Sequence, residues 1–346
     1  VGLAIALELG LAGRKVAVVE RDRPGQQASW AAAGMLAPRA ERLPDGPLRE
    51  LCLRSLALYP DWIAKLEQLA GRDTGYWLCG ILLPWQGFPA DSETLGTTLD
   101  RTALDARQPG LGPDMGSAIW LPQEGQVDNR QLVTALREAL TQVGVAIVAQ
   151  TDVQGWIVEG ELIQGLQTSR GRLEAEVYVA TLGAWSGQLL PIPVFPLKGQ
   201  MLSVLDPACR LQHVIFGEAV YLVPRRDGHL LVGATEEAVG FTPGNTAGGL
   251  QRLLAAAIAL YPAIADMTLQ ETWWGFRPTT PDLLPVLGRG PQRNLFVATG
   301  HHRNGILLAP ITAQLLAQAI LTDEADPLLA PFAWHRFPVP ESPVLC

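Results

Sequence analysis

"VGLAIALELGLAGRKVAVVERD", residues 1–22, decides the fold. Its first half, residues 2–13, places small and apolar residues on one helical face, with Gly10 and Gly13 closing the helix. Its second half, "KVAVVE" (15–20), is short, apolar and β-branched, the composition of a buried parallel strand. A helix feeding such a strand belongs to a βαβ unit, which needs a parallel strand ahead of the helix. The sequence opens without an initiator Met, so this reading expects that strand upstream of Val1.

Further along, "QQASWAAAGMLAP" (26–38) reads as a small-residue loop bounded by Gly and Pro, without a regular element. Helical periodicity covers 47–70, up to Gly71, and "YWLCGILLPW" (76–85) and "SAIWLP" (117–122) read as strands. "VDNRQLVTALREALTQVG" (127–144) is an amphipathic helix with Asp128 as N-cap and Gly144 at its end. Strand-like runs follow at 145–149, 153–159 and 173–180, then "LGAWSGQLL" (182–190). From Pro191 to Trp274 the apolar residues alternate, and "PRRDGH" is an Asp-Gly hairpin turn. That texture is an antiparallel sheet with one helix, about 247–260, against it. The end returns to α/β texture: "NLFVATG" (294–300) as a buried strand, a polar loop, and a helix over 305–321. The expected organisation is a discontinuous, Rossmann-like α/β domain (1–70, 120–190 and 275–346) with an inserted, mainly antiparallel β domain (71–119 and 191–274).

With 346 residues, 48% hydrophobic and 17% charged, the composition is that of a soluble globular protein. The net charge of −8, without a basic stripe, argues against nucleic-acid and anionic-membrane partners. No apolar run reaches the roughly 20 residues of a membrane span. Cys52, Cys79, Cys209 and Cys346 are scattered without a CxxC, as ordinary thiols of a reducing cytoplasm are. The acid at Glu8 does not fit a signal peptide.

Four stretches carry candidate chemistry. Gly2, with Glu20 at the end of "VAVVE", fits the last glycine of a dinucleotide fingerprint and its ribose-binding acid; an unrelated helix–strand pair fits too. "AAAGMLAP" (31–38) lets backbone approach a flat ring or a phosphate, or simply packs a helix start. "GHHRNGILLAP" (300–310) follows an apolar strand and precedes a helix, where α/β sheets bind ligands. Its His301, His302 and Arg303 could equally face solvent, and adjacent histidines without a carboxylate or Cys partner do not make a metal site. Arg277, in "WWGFRPTTPDLLPVLG" (273–288), leaves an aromatic-rich strand and suits either a substrate carboxylate or an internal salt bridge.

In order and spacing, "SWAAAGMLAP", "YLVPR", "LLVGAT", "GFRPTTPD" and "GHHRNGILLAP" resemble the D-amino-acid-oxidase-like family of FAD-dependent amine oxidases, and within it the glycine oxidases of the thiamine pathway. The resemblance runs over essentially the whole chain. It implies non-covalent FAD, with Gly2 in the fingerprint, Glu20 on the adenosine ribose and Arg21 beside it. Ala28, Ser29, Ala33, Gly34 and Met35 would line the pyrophosphate and flavin, and Val153 would touch the adenine. His301, His302, Arg303, Asn304, Gly305, Ile306 and Leu307 would lie at the pyrimidine end of the isoalloxazine. Arg277 would clamp the substrate carboxylate, Tyr221 would complete its binding, and Arg303 would be a second active-site arginine. The implied reaction oxidises glycine, sarcosine or small D-amino acids by hydride transfer to flavin N5, with O₂ as acceptor and the imine supplied to thiazole synthesis. A functional link to thiazole synthase and a homo-oligomer are further implications.

Two positions depart from the family pattern. His302 stands where an aromatic is more common, and Glu236, in "VGATEE", where a less polar residue is common near the substrate. A carboxylate at 236 could repel a substrate carboxylate or face water. Rival readings are a sarcosine oxidase, a D-amino-acid dehydrogenase, and a shortened chain with impaired FAD binding and no activity. A covalent flavin through a C-terminal Cys is disfavoured, since residues 210–345 contain none. No docking segment for a membrane quinone is evident.

Overall fold

The computed structural model describes residues 1–85 and 95–338; Cys346 lies outside them. The opening helix spans Gly2–Leu11 and is buried around most of its circumference, through Leu3, Ala4, Ile5, Ala6, Leu7 and Leu9. One apolar face was expected; the helix instead packs between the helices Ala309–Thr322 and Asn129–Gln142 and is apolar except at Glu8, which pairs with Lys65 at 3.2 Å. Gly10 is a contact point inside this helix, since a Cβ there would lie 2.8 Å from Val145 Cγ2. Gly13, at φ 77°, makes the turn that follows.

The strand Ala17–Val19 pairs in parallel with Ala146–Val148, as a βαβ crossover demands. It is less buried than its apolar composition suggests, because among the described residues it has this one neighbour and its other edge faces a large cavity. A second parallel pair, Tyr178–Ala180 with Leu295–Thr299, continues antiparallel into Val286–Arg289. Beside these lies a three-stranded antiparallel sheet of Val153–Glu159, Leu162–Thr168 and Gly171–Leu173. Its last two strands were not anticipated: "LIQGLQTSRGRL" is polar on its outer face and leaves a weak apolar signal. The helix Pro47–Ala70, closed by Gly71 in the left-handed region, completes the α-helical layer with Asp128-capped Asn129–Gln142.

The other half of the molecule is an eight-stranded sheet. Its order is Thr268–Thr279, Phe195–Leu205, His229–Gly233, Tyr221–Pro224, Val214–Phe216, Ile81–Trp85, Ser117–Leu121, Thr97–Asp100. All neighbours are antiparallel except Val214–Phe216 with Ile81–Trp85. Period-2 alternation divides its side chains. Leu82, Leu202, Leu222 and Val232 pack under the helix Ala247–Leu260, whereas Ile81, Leu83, Met201 and Val223 face the segment around Ala33–Ala40. No helix of the described residues is long and apolar enough to cross a membrane.

Candidate active site

One cavity of about 2430 Å³ runs from the ends of the parallel strands to the inner face of the large sheet. It exceeds by more than twofold the roughly 300–1,000 Å³ of an ordinary small-molecule site, so it has room for a large cofactor and a substrate together. Gly2, Glu20, Arg21, Ala28, Ser29, Ala33, Gly34, Met35 and Val153 line one stretch of it. Tyr221, Arg277, His301, His302, Arg303, Asn304, Gly305 and Ile306 line the rest. Leu307 is the exception: its side chain is in the core.

The 26–38 segment contains a one-turn helix, Ala28–Ala31, and a short strand, Met35–Leu36, where a featureless loop was expected. Its order comes from distant residues. Asn129 Nδ2 donates to the carbonyls of Ser29 and Trp30, both at 2.9 Å, and Trp273 Nε1 donates to Ala31 O at 3.0 Å. Arg225, buried, donates to Ala33 O at 2.9 Å and Asn129 Oδ1 at 3.0 Å, also reaching Gln126 Oε1, with Asp128 at 3.6 Å. Gly34, at φ 76°, passes so close to Val127 that a Cβ would lie 2.0 Å from its carbonyl oxygen. Small residues thus let the segment seat against its neighbours while other elements hold it.

The loop after Leu295–Thr299 is pinned from behind. Ser55 Oγ donates to Leu307 O and Tyr59 Oη to Ile306 O, each at 2.6 Å, from the helix Pro47–Ala70. In a trans peptide the N–H points opposite the C=O, so the Leu307 amide is turned away from that helix. The next helix starts at Ala309, four residues later than its apolar pattern suggests, because this turn occupies 301–308. His301 is buried with Nε2 3.3 Å from Thr312 Oγ1, and burial holds its imidazole down to about 3. The His302 side chain is only 10% exposed, so neither histidine is a solvent-facing loop residue.

At the sheet end, the Arg277 guanidinium is fixed by the carbonyls of Thr235 (3.1 Å) and Lys198 (3.5 Å). Among the described residues no carboxylate lies within 4.0 Å of it, so the internal salt bridge considered for this residue is not formed. Tyr221 packs its ring on Gly233, where a Cβ would lie 2.7 Å from it, and its hydroxyl sits 3.8 Å from Met201 Sδ. Burial pushes the Tyr221 phenol up, against the pull of Arg277 and Arg303. Arg303 pairs with Glu41 at 3.0 Å and stacks over Phe216. Burial raises the Glu41 carboxyl, and Arg303 opposes that rise.

Glu41 was missed by sequence reasoning, since "RAERLP" matches no motif. Glu124 was missed too. It is fully buried, accepts the N–H groups of Arg39 (2.6 Å) and Ala40 (3.2 Å), and so sets the backbone that presents Glu41. Its burial lifts it to about 7.

This architecture is that of the FAD-dependent oxidoreductase family. The family model for FAD dependent oxidoreductases of the DAO type matches residues 1–319, and the chain belongs to that family. The chain is 48% identical to the "Bifunctional protein ThiO/ThiG" of Trichormus variabilis over 97% of its length and 54% of the relative's. It spans about half the length of the first such curated relatives it matches. It is 34% identical to the glycine oxidase of Pseudomonas aeruginosa, covering 96% of this chain and 94% of that one. The crystal structure of glycine oxidase from Geobacillus kaustophilus superposes with a TM-score of 0.91 at 33% identity, over 97% of this chain and 96% of that one.

The residues present fit FAD. The helix Gly2–Leu11 begins at the cavity wall with no side-chain cap, so its first N–H groups are available to an anion such as a pyrophosphate. Glu20 ends its strand with one carboxylate oxygen accepting Asp22 N–H at 3.0 Å, which leaves the other for ribose hydroxyls. The small residues Ala33 and Gly34 line the cavity and leave room for a flat ring beside their backbone.

Proposed function

We propose that the chain oxidises glycine and other small amino acids, sarcosine and small D-amino acids among them, with FAD held non-covalently between Glu20 and the His301–Leu307 turn. The observation that carries this reading is the pairing of Arg277, free of any carboxylate partner among the described residues, with Tyr221 on the cavity wall. Arg277 binds the substrate carboxylate through its planar fork, and Tyr221 orients it. Arg303 adds a second positive charge at that end, offset by its Glu41 partner. FAD, when bound, would supply a hydride acceptor that O₂ can reoxidise to give H₂O₂. The protein residues bind, orient and exclude water; the reading assigns none of them proton abstraction from carbon.

The FAD-binding domain is assigned to 1–70, 120–190 and 275–346 and the substrate-binding domain to 71–119 and 191–274, with Arg277 reaching the substrate from the former and Tyr221 from the latter. Similarity to the bifunctional ThiO/ThiG proteins supports a further reading, that the imine or its hydrolysis product glyoxylate feeds thiazole formation for thiamine. The test is H₂O₂ release with a panel of glycine, sarcosine, D-alanine and L-alanine. Turnover of glycine without L-alanine supports the assignment; turnover of none of the four removes it.

A further inference from the structure

His302 and Glu236, the two departures from the family pattern, face each other in the cavity. His302 Nε2 lies 3.9 Å from Glu236 Oε2, with the imidazole 10% exposed and the carboxylate 54% exposed. Neither ring nitrogen of His302 has a hydrogen-bond partner, although buried polar atoms are normally satisfied. The ring is not placed by chance packing. His302 has a left-handed backbone (φ 49°), and its N–H donates to Pro278 O at 2.9 Å, the residue after Arg277. The histidine is therefore tied to the strand that carries the proposed carboxylate clamp.

The charges around this pair are ordered. Burial, with Arg277 and Arg303 close by, holds the imidazole down to about 4, so the ring is neutral near pH 7. A neutral imidazole offers one donor and one acceptor. The donor suits the Glu236 carboxylate, and the acceptor is left for an N–H from a ligand. The pocket thus presents two guanidinium groups and a phenol together with a carboxylate and an imidazole acceptor. That is the polarity of a zwitterion.

We propose that His302 and Glu236 form an amine subsite beside Arg277, the imidazole accepting a hydrogen bond from the substrate amino group and Glu236 balancing its charge. The pocket then selects small zwitterionic amino acids over amine-free carboxylates and over substrates bearing a second carboxylate, which Glu236 repels. This rests on the assignment of Arg277 to the substrate carboxylate. His302 and Glu236 are binding residues here and take no electron or proton from carbon.

The test is calorimetric binding to the FAD-loaded protein, reduced and anaerobic so that glycine is not consumed. The ligands are glycine and propionate, in which a methyl replaces the ammonium. Wild type is expected to bind glycine about tenfold tighter than propionate, the worth of a hydrogen bond to a charged group. His302→Phe and Glu236→Met each lose that preference while propionate affinity stays within about twofold. His302→Gln, which keeps an acceptor, recovers part of it. If propionate binds but the variants keep the wild-type ratio, the subsite is overturned and the clamp stands. If wild type binds neither ligand, the clamp falls and the subsite with it.

Discussion

The guanidinium of Arg277 lies directly over Gly199, so close that a Cβ there would stand 2.6 Å from Nη2 and 2.8 Å from Cζ. The opposing atoms are the far end of a flexible side chain, so Gly199→Ala displaces the clamp without rebuilding the sheet. The expected result is a KM for glycine raised about tenfold, with Tm changed by no more than about 2 °C. Steady-state kinetics and a thermal melt on the same preparation check it.

Removing the clamp outright is more severe. Arg277→Ala is expected to raise the KM for glycine about 100-fold or more, as loss of one partner of a buried charge pair does. Tyr221→Phe costs less, because the arginine still orients the carboxylate. An unchanged KM in Arg277→Ala takes the residue out of the site, and abolished turnover in Tyr221→Phe would give its hydroxyl a chemical role.

Arg225 holds the Ala33 carbonyl, Asn129 and Gln126 at once, with Asp128 beside it. Arg225→Ala leaves those groups buried without their partner, which typically costs about 3–5 kcal/mol. Urea unfolding should show a loss of that order. FAD, measured by the flavin fluorescence released on dilution, should dissociate faster because the Ala28–Met35 segment loses its anchor.

Two buried groups give opposite pH dependences. Glu124 is raised from 4.5 to about 7, so the folded state holds its proton more tightly than the unfolded chain. Its contribution to stability therefore declines as pH rises from about 4.5 through about 7. His301 is lowered from 6.5 to about 3, so its contribution is present above about 6.5 and is lost as pH falls towards about 3. Relative to Glu124→Gln, wild type should lose unfolding free energy between pH 4.5 and 7. A constant difference between the two proteins across that range contradicts the assignment.

The helix–strand–acid opening, the capped helix after Asp128 and the Arg225–Gly228 hairpin turn were legible because each depends on neighbours in sequence. The ring of residues around the cavity was legible only through motif order. Glu41 and Glu124 were not, because each acts through a partner far away in the chain: Arg303 for one, the Arg39 and Ala40 amides for the other. Exposure of Ala17–Val19 was misjudged for a related reason, since composition reports what a strand tolerates and pairing decides what covers it. The His302–Glu236 contact shows the same limit. Both residues stood out singly, and their meeting is a property of the folded chain.

The central claim is that this cavity brings glycine to FAD for oxidation. Its most direct test is an anaerobic visible spectrum of the FAD-loaded protein before and after glycine is added. The expected result is flavin bands that glycine bleaches and that air restores with release of H₂O₂. A bound flavin whose bands glycine leaves unchanged, in a protein with Arg277 and Tyr221 intact, would contradict it.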